Sequence, residues 1–384
     1  MKRWFLRGAL ALVAALVLIG ILRAEEINRL LAVNSLFRED RIIANFAGMD
    51  ELFEHTILPA GDAATPLPTG PAYTPPPDVT AWIAERDVTA LVILKDGELV
   101  YEIYPHGDAS DTRIAWSVSK SFLSALIGIL IEEGTIGSVD DPVTDYVPEL
   151  ADTAYADARI EDVLQMSSGV VFDEDYLDFN SDINRMGRVL ALGGSMDEFA
   201  MALTETDAAP GERWRYVSID THILGMVARA ASGRSLADLM TEKIIQPLGL
   251  EQDPIYLTDG NGVAFALGGL NLTTRDFARF GQMIAQGGEW QGKQIVPRDW
   301  IDRATRPSAR SSAGQTGYGY QWWTPPNNRE GEFMARGVYG QYIYIDRQSR
   351  TVIAVNAADR NFRQPGVTDR NVAIFRGIRD DLEE

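Results

Sequence analysis

The most constraining feature of the sequence is an apolar segment with helical spacing, residues 121–133, directly preceded by a serine and a lysine. Its apolar side chains cover much of the helix circumference, as expected of a helix buried in a core. Ser117 and Lys120 stand three positions apart, which places them on one helix face with roughly 5–6 Å between their Cβ atoms. Buried lysines are rare unless they are paired or functional. The chain is therefore expected to contain a core helix that opens with two polar side chains.

A neighbouring serine and lysine can form a nucleophile and its base. The amine can accept the proton of the hydroxyl if burial keeps the amine neutral. The Ser-x-x-Lys pattern alone is weak evidence, because a chain of 384 residues carries it by chance. The alternative is a helix-capping Ser117 and a solvated Lys120. The apolar surroundings favour a serine hydrolase that needs neither metal nor histidine.

Composition excludes several classes of protein. With 384 residues, 46% of them hydrophobic, the chain can bury a large core. Its formal net charge of −20 argues against nucleic-acid binding and against broad adhesion to anionic lipid. Because the sequence has no cysteine, disulfides, thiol nucleophiles and thiolate metal sites are excluded. We expect no cofactor and no metal.

The first 23 residues are patterned as a targeting element. Lys2, Arg3 and Arg7 precede an uncharged run over residues 8–22. This order is typical of a signal sequence, although the run is short for a spanning helix, which needs about 20 apolar residues. An uncleaved membrane anchor is favoured over a cleaved signal peptide, with a buried soluble helix as a third alternative. The protein is expected to be exported, either anchored in the inner membrane facing the periplasm or exterior, or secreted if residues 1–23 are removed.

The remaining chain is expected to divide into a lead segment, residues 24–78, and a hydrolase domain, residues 79–384. Residues 24–58 are patterned as mixed helix and loop, and residues 65–78 are proline-rich and extended. Apolar runs flanking Asp96-Gly97 predict a β-hairpin. The stretch from about 140 to 260 is predicted to be mostly helical, with Gly233 ending one helix and Thr273 or Thr274 capping a later one.

Late strands are predicted at residues 318–323, 341–345 and 351–356, and a closing helix at 368–384. The late strands and the early hairpin can join one antiparallel sheet. The predicted fold class is therefore α+β, an antiparallel sheet flanked by helices with a mostly helical insert.

Further motifs follow the serine and lysine along the chain. They are Leu164-Gln165-Met166-Ser167-Ser168-Gly169, Gly211-Glu212-Arg213-Trp214-Arg215-Tyr216-Val217-Ser218 with Asp220 and Leu224-Gly225 after it, and Gly337-Val338-Tyr339-Gly340-Gln341. In this order and at these distances they resemble the class C β-lactamase and penicillin-recognising serine hydrolase family over about residues 80–384. Within that family the chain is most similar to 6-aminohexanoate-oligomer (nylon-oligomer) hydrolases and related carboxylesterases. The resemblance implies a β-lactamase/transpeptidase-like fold.

The resemblance also implies roles for residues of this chain. Ser117 would be the nucleophile, Lys120 its base or proton partner, and Tyr216 the phenol that passes a proton to the leaving group. Ser218 stands where the second motif usually has asparagine, and Gly340 would end the third motif.

An acyl transfer also needs donors for the developing oxyanion. The backbone N–H of Ser117 is expected to supply one, and that of Gln341 the second. The positive charge of Lys120 can lower the pKa of Tyr216. The two groups titrate as a unit, so the sequence does not say which of them holds the proton at rest.

The third motif departs from the family pattern. The lysine that binds the substrate carboxylate of β-lactams is replaced in Val338-Tyr339-Gly340, and Arg336 is either a substitute cation or a solvated surface residue. The missing lysine and Ser218 favour ester or linear amide substrates. A β-lactamase or D-alanyl-D-alanine carboxypeptidase activity is the alternative.

Other chemistries have weaker support in the sequence. A Ser-His-Asp triad would have to use His55, His106 or His222, and no Gly-x-Ser-x-Gly elbow surrounds Ser117. The acidic run 173–175 could hold Ca²⁺, but a solvated loop that flanks the substrate entrance, with Tyr176 lining it, is favoured. A non-catalytic, membrane-tethered binding protein on the same fold is the remaining alternative.

Overall fold

A seven-stranded antiparallel sheet, covered by helices on both faces, forms the framework of the computed structural model. The structure describes residues 2–61, 64–311 and 316–384. Its strands are β1 (His55–Ile57), β2 (Val88–Lys95), β3 (Glu98–Ile103), β4 (Arg113–Ile114), β5 (Ile255–Leu257), β6 (Leu270–Leu272), β7 (Glu289–Trp290), β8 (Lys293–Gln294), β9 (Gly317–Tyr318), β10 (Trp323–Thr324), β11 (Glu332–Gly337), β12 (Gln341–Asp346) and β13 (Thr351–Ala357).

The helices connect and cover these strands. They are α1 (Lys2–Leu22), α2 (Ala24–Ser35), α3 (Ile42–Ala47), α4 (Met49–Leu52), α5 (Pro77–Glu85), α6 (Ser119–Glu132), α7 (Ile160–Leu164), α8 (Asp182–Ala191), α9 (Met196–Met201), α10 (Ile219–Ser232), α11 (Leu236–Met240), α12 (Gln246–Leu248), α13 (Thr274–Ala285), α14 (Arg298–Ala304) and α15 (Val367–Asp381).

The early hairpin and the late strands join one sheet, as predicted. The strand order is β3-β2-β13-β12-β11-β10-β9, with β2 pairing antiparallel to both β3 and β13. Asp96 and Gly97 both have positive φ, at 55° and 83°, which is the backbone that a two-residue hairpin turn requires. The antiparallel α+β architecture predicted from the sequence is confirmed.

Alternating side chains of β2 enter two different cores. Leu91 and Ile93 pack with α5 and α15 on one face of the sheet. Val92 and Leu94 belong to the larger core on the other face, which contains α6 and α13. A strand buried on both faces reads as a continuous apolar run rather than an alternating one. Within the larger core, the ring of Phe122 in α6 stacks on the ring of Phe280 in α13, with centroids 3.6 Å apart.

The regular structure between about residues 140 and 260 is helical apart from β5, which belongs to a small second sheet. The order of that sheet is β1-β5-β6-β4. Gly233, with φ 67°, ends α10, and the side chain of Thr273 caps α13, as the sequence indicated. Strand β4 leads directly into the segment that carries Ser117, and β1 belongs to the N-terminal lead. The lead is therefore tied to the sheet on which the serine depends.

The strand predicted at residues 318–323 is wrong as a single element. The chain there forms two short strands, β9 and β10, joined by a turn in which Gln321 has a φ of 63°. The Gln321 side chain donates hydrogen bonds to the carbonyls of Val163 and Leu164, which holds the turn inward. Strand β11 was not predicted, because only three apolar residues stand between the charged Glu332 and Arg336.

Helix α1 has the length and composition of a membrane span. Residues Trp4–Leu22 have a mean hydropathy of 2.5, and none of this stretch is buried inside the protein. A signal sequence has the same properties. The large apolar side chains of α1 that the structure describes are exposed. The structure therefore fits an anchor or a signal peptide.

Candidate active site

Ser117 lies in a 3₁₀ turn, Trp116–Val118, that leads into α6. Trp116 immediately before it has a φ of 44°, a left-handed conformation that costs a bulky residue free energy and often occurs at functional sites. The ring of Trp116 is held by Phe37 and Phe46, at centroid distances of 5.9 and 5.5 Å. Ser117 itself is half-buried. Its hydroxyl is thus presented on a turn fixed from behind by aromatic packing.

The amine of Lys120 is buried against the hydroxyl of Ser117. Its Nζ lies 3.0 Å from Ser117 Oγ, 2.8 Å from the carbonyl oxygen of Leu267 and 3.4 Å from Ser218 Oγ. Burial lowers the pKa of Lys120 to about 7, although the negative charges of Glu174 and Asp220 oppose the shift. A neutral amine can donate to Leu267 and Ser218 and keep its lone pair for the serine proton. This arrangement allows the hydroxyl proton to pass to the amine.

Tyr216 lies next to this pair. Lys120 Nζ is 5.5 Å from the centre of its ring, which stacks on Trp323 at 5.2 Å. The expectation that its pKa is lowered is wrong. Burial, together with the charge of Glu174, raises the pKa of Tyr216, and hydrogen bonding to Ser117 and Ser218 and the charge of Arg336 only partly offset this. At neutral pH the residue is therefore a protonated phenol, which suits a proton donor.

Ser218 connects the lysine to a carboxylate that sequence analysis did not assign to the site. The hydroxyl of Ser218 donates a short hydrogen bond to Glu174, whose second oxygen accepts from the Ser218 backbone N–H at 3.0 Å. Glu174 also accepts from the hydroxyl of Tyr176 at 2.7 Å. The acidic loop thus reaches the site through Glu174, and Tyr176 lines the pocket that contains Ser117.

A second carboxyl group lies behind the site. Asp220 is fully buried and accepts hydrogen bonds from Tyr155 at 2.8 Å and Ser168 at 2.7 Å. Burial raises the pKa of Asp220 to about 7, against the effect of these two donors. The segment 164–169 and the segment that follows Tyr216 therefore meet here through Ser168 and Asp220.

The structure places the third motif differently from the sequence prediction. Gly340, with φ 89°, shapes the turn between β11 and β12, and the Gln341 side chain donates to the Ala357 carbonyl at 2.6 Å. Among the described residues, neither lines the pocket that contains Ser117. Gly337 is nearer, because a Cβ on it would lie 3.2 Å from the Ser117 backbone nitrogen. Val338, the next residue, lines the pocket.

Arg336 is half-buried at the edge of the site. Its guanidinium carbon lies 5.4 Å from the centre of the Trp323 ring, and its charge lowers the pKa of Tyr216. The residue is therefore not the fully solvated cation that one sequence interpretation offered.

The pocket beside Ser117 is apolar. Its wall combines residues of the N-terminal lead, of α8, of the segment before β6 and of the third motif, namely Val33, Leu36, Phe37, Met49, Phe53, Trp116, Tyr176, Ile183, Asn184, Met186, Gly187, Leu190, Ser218, Leu257, Phe265, Leu267, Gly268, Val338 and Tyr339. We call this space the apolar chamber. The lead segment was expected only to precede the fold, and its part in the chamber carries no local sequence signal.

A model of the beta-lactamase family matches residues 80–375 of the chain. The chain belongs to the beta-lactamase family. Within it, a 6-aminohexanoate-dimer hydrolase of Paenarthrobacter ureafaciens is 30% identical over 278 residues, which are 68% of this chain and 70% of that protein. Both findings agree with the family resemblance of the motifs.

Solved structures share the fold of this chain. A candidate 6-aminohexanoate-dimer hydrolase from Bacillus anthracis superimposes with a TM-score of 0.80 at 24% identity, covering 91% of this chain and 96% of that one. An octameric penicillin-binding protein homologue from Pyrococcus abyssi gives a TM-score of 0.57 at 22% identity, covering 78% and 76%. The β-lactamase/transpeptidase-like fold is thus confirmed.

The other candidate groups have structural partners. His222 is buried, and its Nε2 lies 2.7 Å from a carboxylate oxygen of Asp197, far along the chain from Ser117. Within the described ranges, no group of three or more His, Asp or Glu side chains could hold a metal ion. Of the acidic run, Asp175 pairs with Arg363 at 2.9 Å, while Glu174 binds Ser218.

Proposed function

We propose that the chain is a serine hydrolase that cleaves ester or linear amide bonds through an acyl-enzyme on Ser117. The observation that carries this proposal is the 3.0 Å contact between Ser117 Oγ and a buried amine whose pKa is lowered to about 7. An amine with this pKa is unprotonated in a large fraction of molecules at neutral pH, where a general base is most effective.

The proposed reaction has two halves. Ser117 Oγ attacks the acyl carbon and loses its proton to Lys120, while the phenol of Tyr216 donates its proton to the departing alcohol or amine. The bond between the acyl carbon and the leaving group breaks, and the acyl group remains on Ser117. Water then hydrolyses this ester, and the proton transfers run in reverse.

The oxyanion formed in each half needs two donors. The backbone N–H of Ser117 lies just before the N-terminus of α6, where the helix dipole favours negative charge. For the second donor we propose Val338 in place of Gln341, because β11 passes the Ser117 nitrogen at Gly337 and Val338 faces the chamber. Backbone donors held in place in this way account for several kcal/mol of transition-state stabilisation in other hydrolases.

A fluorophosphonate probe tests the nucleophile. We expect the wild-type protein to be labelled and the Ser117→Ala variant to be unlabelled. The matched control is Ser121→Ala, because Ser121 lies on the same helix and its hydroxyl donates to the carbonyl of Gln321 at 2.7 Å. Absence of labelling in a folded wild-type protein would favour the non-catalytic binding protein.

Ester and β-lactam substrates separate the two hydrolytic alternatives. The third motif has no lysine at Val338-Tyr339-Gly340, so we expect turnover of short p-nitrophenyl esters and little of a chromogenic cephalosporin. The reverse preference would indicate a β-lactamase or a D-alanyl-D-alanine carboxypeptidase.

We also propose that the enzyme acts outside the cytoplasm on a small-molecule ester or amide. Helix α1 supports this, because its apolar side chains lie outside the core and follow basic residues, as in an anchor or signal sequence. Retention of α1 would keep the enzyme at the membrane, and its removal would release it.

A further inference from the structure

The chamber beside Ser117 has a wall without charge. Among the described residues that line it, none is Asp, Glu, Lys or Arg, and most are aliphatic or aromatic. The carboxylate of Glu174 nearby is occupied by hydrogen bonds from Ser218 and Tyr176. A cation or anion that entered the chamber would lose its hydration without gaining a partner, which is costly.

The N-terminal lead closes one side of the chamber. The ring of Phe37 stacks on Tyr339 with centroids 4.8 Å apart and planes 11° from parallel. Met49 is 1% exposed and Phe53 is 7% exposed, so this wall is packed as firmly as a core. The segment is held further by β1, which pairs with β5. The wall is therefore a built surface rather than a loose leader.

The proposed proton donor is not part of the chamber wall, whereas the proposed nucleophile is. Tyr216, Lys120 and Trp323 do not belong to the chamber wall, whereas Ser117 and Ser218 do. The leaving group has to face Tyr216 to receive its proton. The chamber, which Ser117 lines, is then the space that remains for the acyl part of the substrate.

We infer that the chamber is an acyl-binding site for an uncharged, apolar acyl chain, so that the enzyme prefers hexanoyl esters and amides over acetyl and over 6-aminohexanoyl ones. This inference rests on the proposed hydrolase function. The expected substrate differs from the 6-aminohexanoate dimer in the name of the Paenarthrobacter relative, because the acyl half of that dimer carries an ammonium group.

Chain length is tested by kcat/KM with p-nitrophenyl acetate and p-nitrophenyl hexanoate. Hexanoyl has four more methylenes than acetyl, and burial of one methylene favours binding by a factor of about four, so burial of only two of them would make hexanoate exceed acetate by about 10-fold or more. Charge is tested with the p-nitroanilides of hexanoic and 6-aminohexanoic acid, where we expect the uncharged acyl group to be favoured by at least about 10-fold. Equal rates, or a preference for the ammonium, would overturn the inference.

These measurements distinguish a failure of the proposed hydrolase activity from a failure of the proposed acyl-binding site. If the folded protein is not labelled by the fluorophosphonate and hydrolyses neither ester, the proposed hydrolase is wrong and the acyl site falls with it. If the protein is labelled and hydrolyses acetate at least as fast as hexanoate, only the acyl site is wrong.

Gly187 offers a direct way to fill the chamber. It lies in α8 on the chamber wall, and a Cβ added there meets no heavy atom within 4 Å. Gly187→Phe should therefore lower the hexanoate-to-acetate ratio of kcat/KM by about 10-fold or more. Gly187→Leu, a smaller change on the same helix, should lower it less and guards against misfolding of the first variant.

The matched control is Gly377→Phe. Gly377 is an exposed helical glycine in α15, where an added Cβ also meets nothing within 4 Å. We expect this variant to keep the wild-type ratio. A folded Gly187→Phe protein with an unchanged ratio would place the acyl chain elsewhere and overturn the inference.

Discussion

Lys120 and Glu174 lie on opposite sides of a single hydroxyl, that of Ser218. The Lys120 amine is 3.4 Å from the Ser218 oxygen, and Ser218 in turn donates its proton to Glu174. An amine and a carboxylate are thus linked through one small side chain. Burial lowers the pKa of Lys120, and the negative charge of Glu174 opposes this shift. The acidic loop therefore helps to set how basic the Lys120 amine is.

Glu174→Gln tests this link through the pH profile. Removing the negative charge should lower the pKa of Lys120 further, so the acidic limb of kcat/KM should move to lower pH. The measurement is the rate of p-nitrophenyl acetate hydrolysis from pH 5 to 9. The matched control is Asp173→Asn, one residue earlier in the same loop. An unshifted limb in Glu174→Gln would mean that Glu174 only holds the loop.

Tyr216→Phe removes the proposed proton donor and keeps the ring. Turnover should fall by roughly 10²–10⁴-fold, the usual contribution of a general acid–base group, while folding is retained. Tyr318→Phe is the matched control, because Tyr318 packs on Tyr216 but its buried hydroxyl has no hydrogen-bond partner in the described part of the chain. A near-normal rate for Tyr216→Phe would remove this residue from the mechanism.

Lys120→Met should abolish acylation and stabilise the fold at neutral pH. The folded-state pKa of about 7 lies below the usual 10.5, so between these values the unfolded chain binds a proton that the folded one lacks. Stability of the wild type therefore rises with pH in this window, and below it the lysine destabilises the fold. The variant should exceed the wild type by about 1–3 kcal/mol at pH 7.

Urea unfolding of both proteins at pH 7 and pH 10 measures this effect. The difference in the free energy of unfolding should narrow as the pH rises. A difference that stays constant, or a variant less stable than the wild type at pH 7, would contradict a pKa lowered by burial.

Removal of residues 1–23 should leave the enzyme intact. None of the apolar stretch of α1 is buried in the protein, so a chain beginning at Ala24 should keep its melting temperature and its kcat/KM within about twofold. The full-length chain is expected to stay with the membrane fraction of a bacterial host, and the shortened chain to be soluble. A soluble full-length product that lacks residues 1–23 would show that the segment is a cleaved signal.

Local features of the fold were predictable because their causes lie within a few residues. Ser117 and Lys120 meet through helical spacing, and Asp96-Gly97 turns the hairpin because both residues adopt positive φ. Distant pairings were not predictable in this way. Glu174 reaches Ser218 across 44 residues, and Phe37 stacks on Tyr339 from the opposite end of the chain. No sequence pattern marks such contacts, since each partner looks like an ordinary loop or helix residue by itself.

The direction in which the pKa of Tyr216 shifts could not be predicted from the motifs either. The sequence indicated a nearby positive charge, which by itself would lower the pKa. Desolvation and the unforeseen charge of Glu174 outweigh it. Desolvation depends on everything packed around a group, and a motif specifies only a few of those neighbours.

The stacking of Phe37 on Tyr339 has a consequence for how substrate preference diversifies. The family model begins at residue 80, so one wall of the chamber is encoded upstream of the residues that this model matches. Recombination or drift in the first fifty or so codons could exchange that wall while the nucleophile and its base stay untouched. Homologues with the same reactive groups would then process different compounds, and grafted N-termini are the natural starting point for redesigning this enzyme.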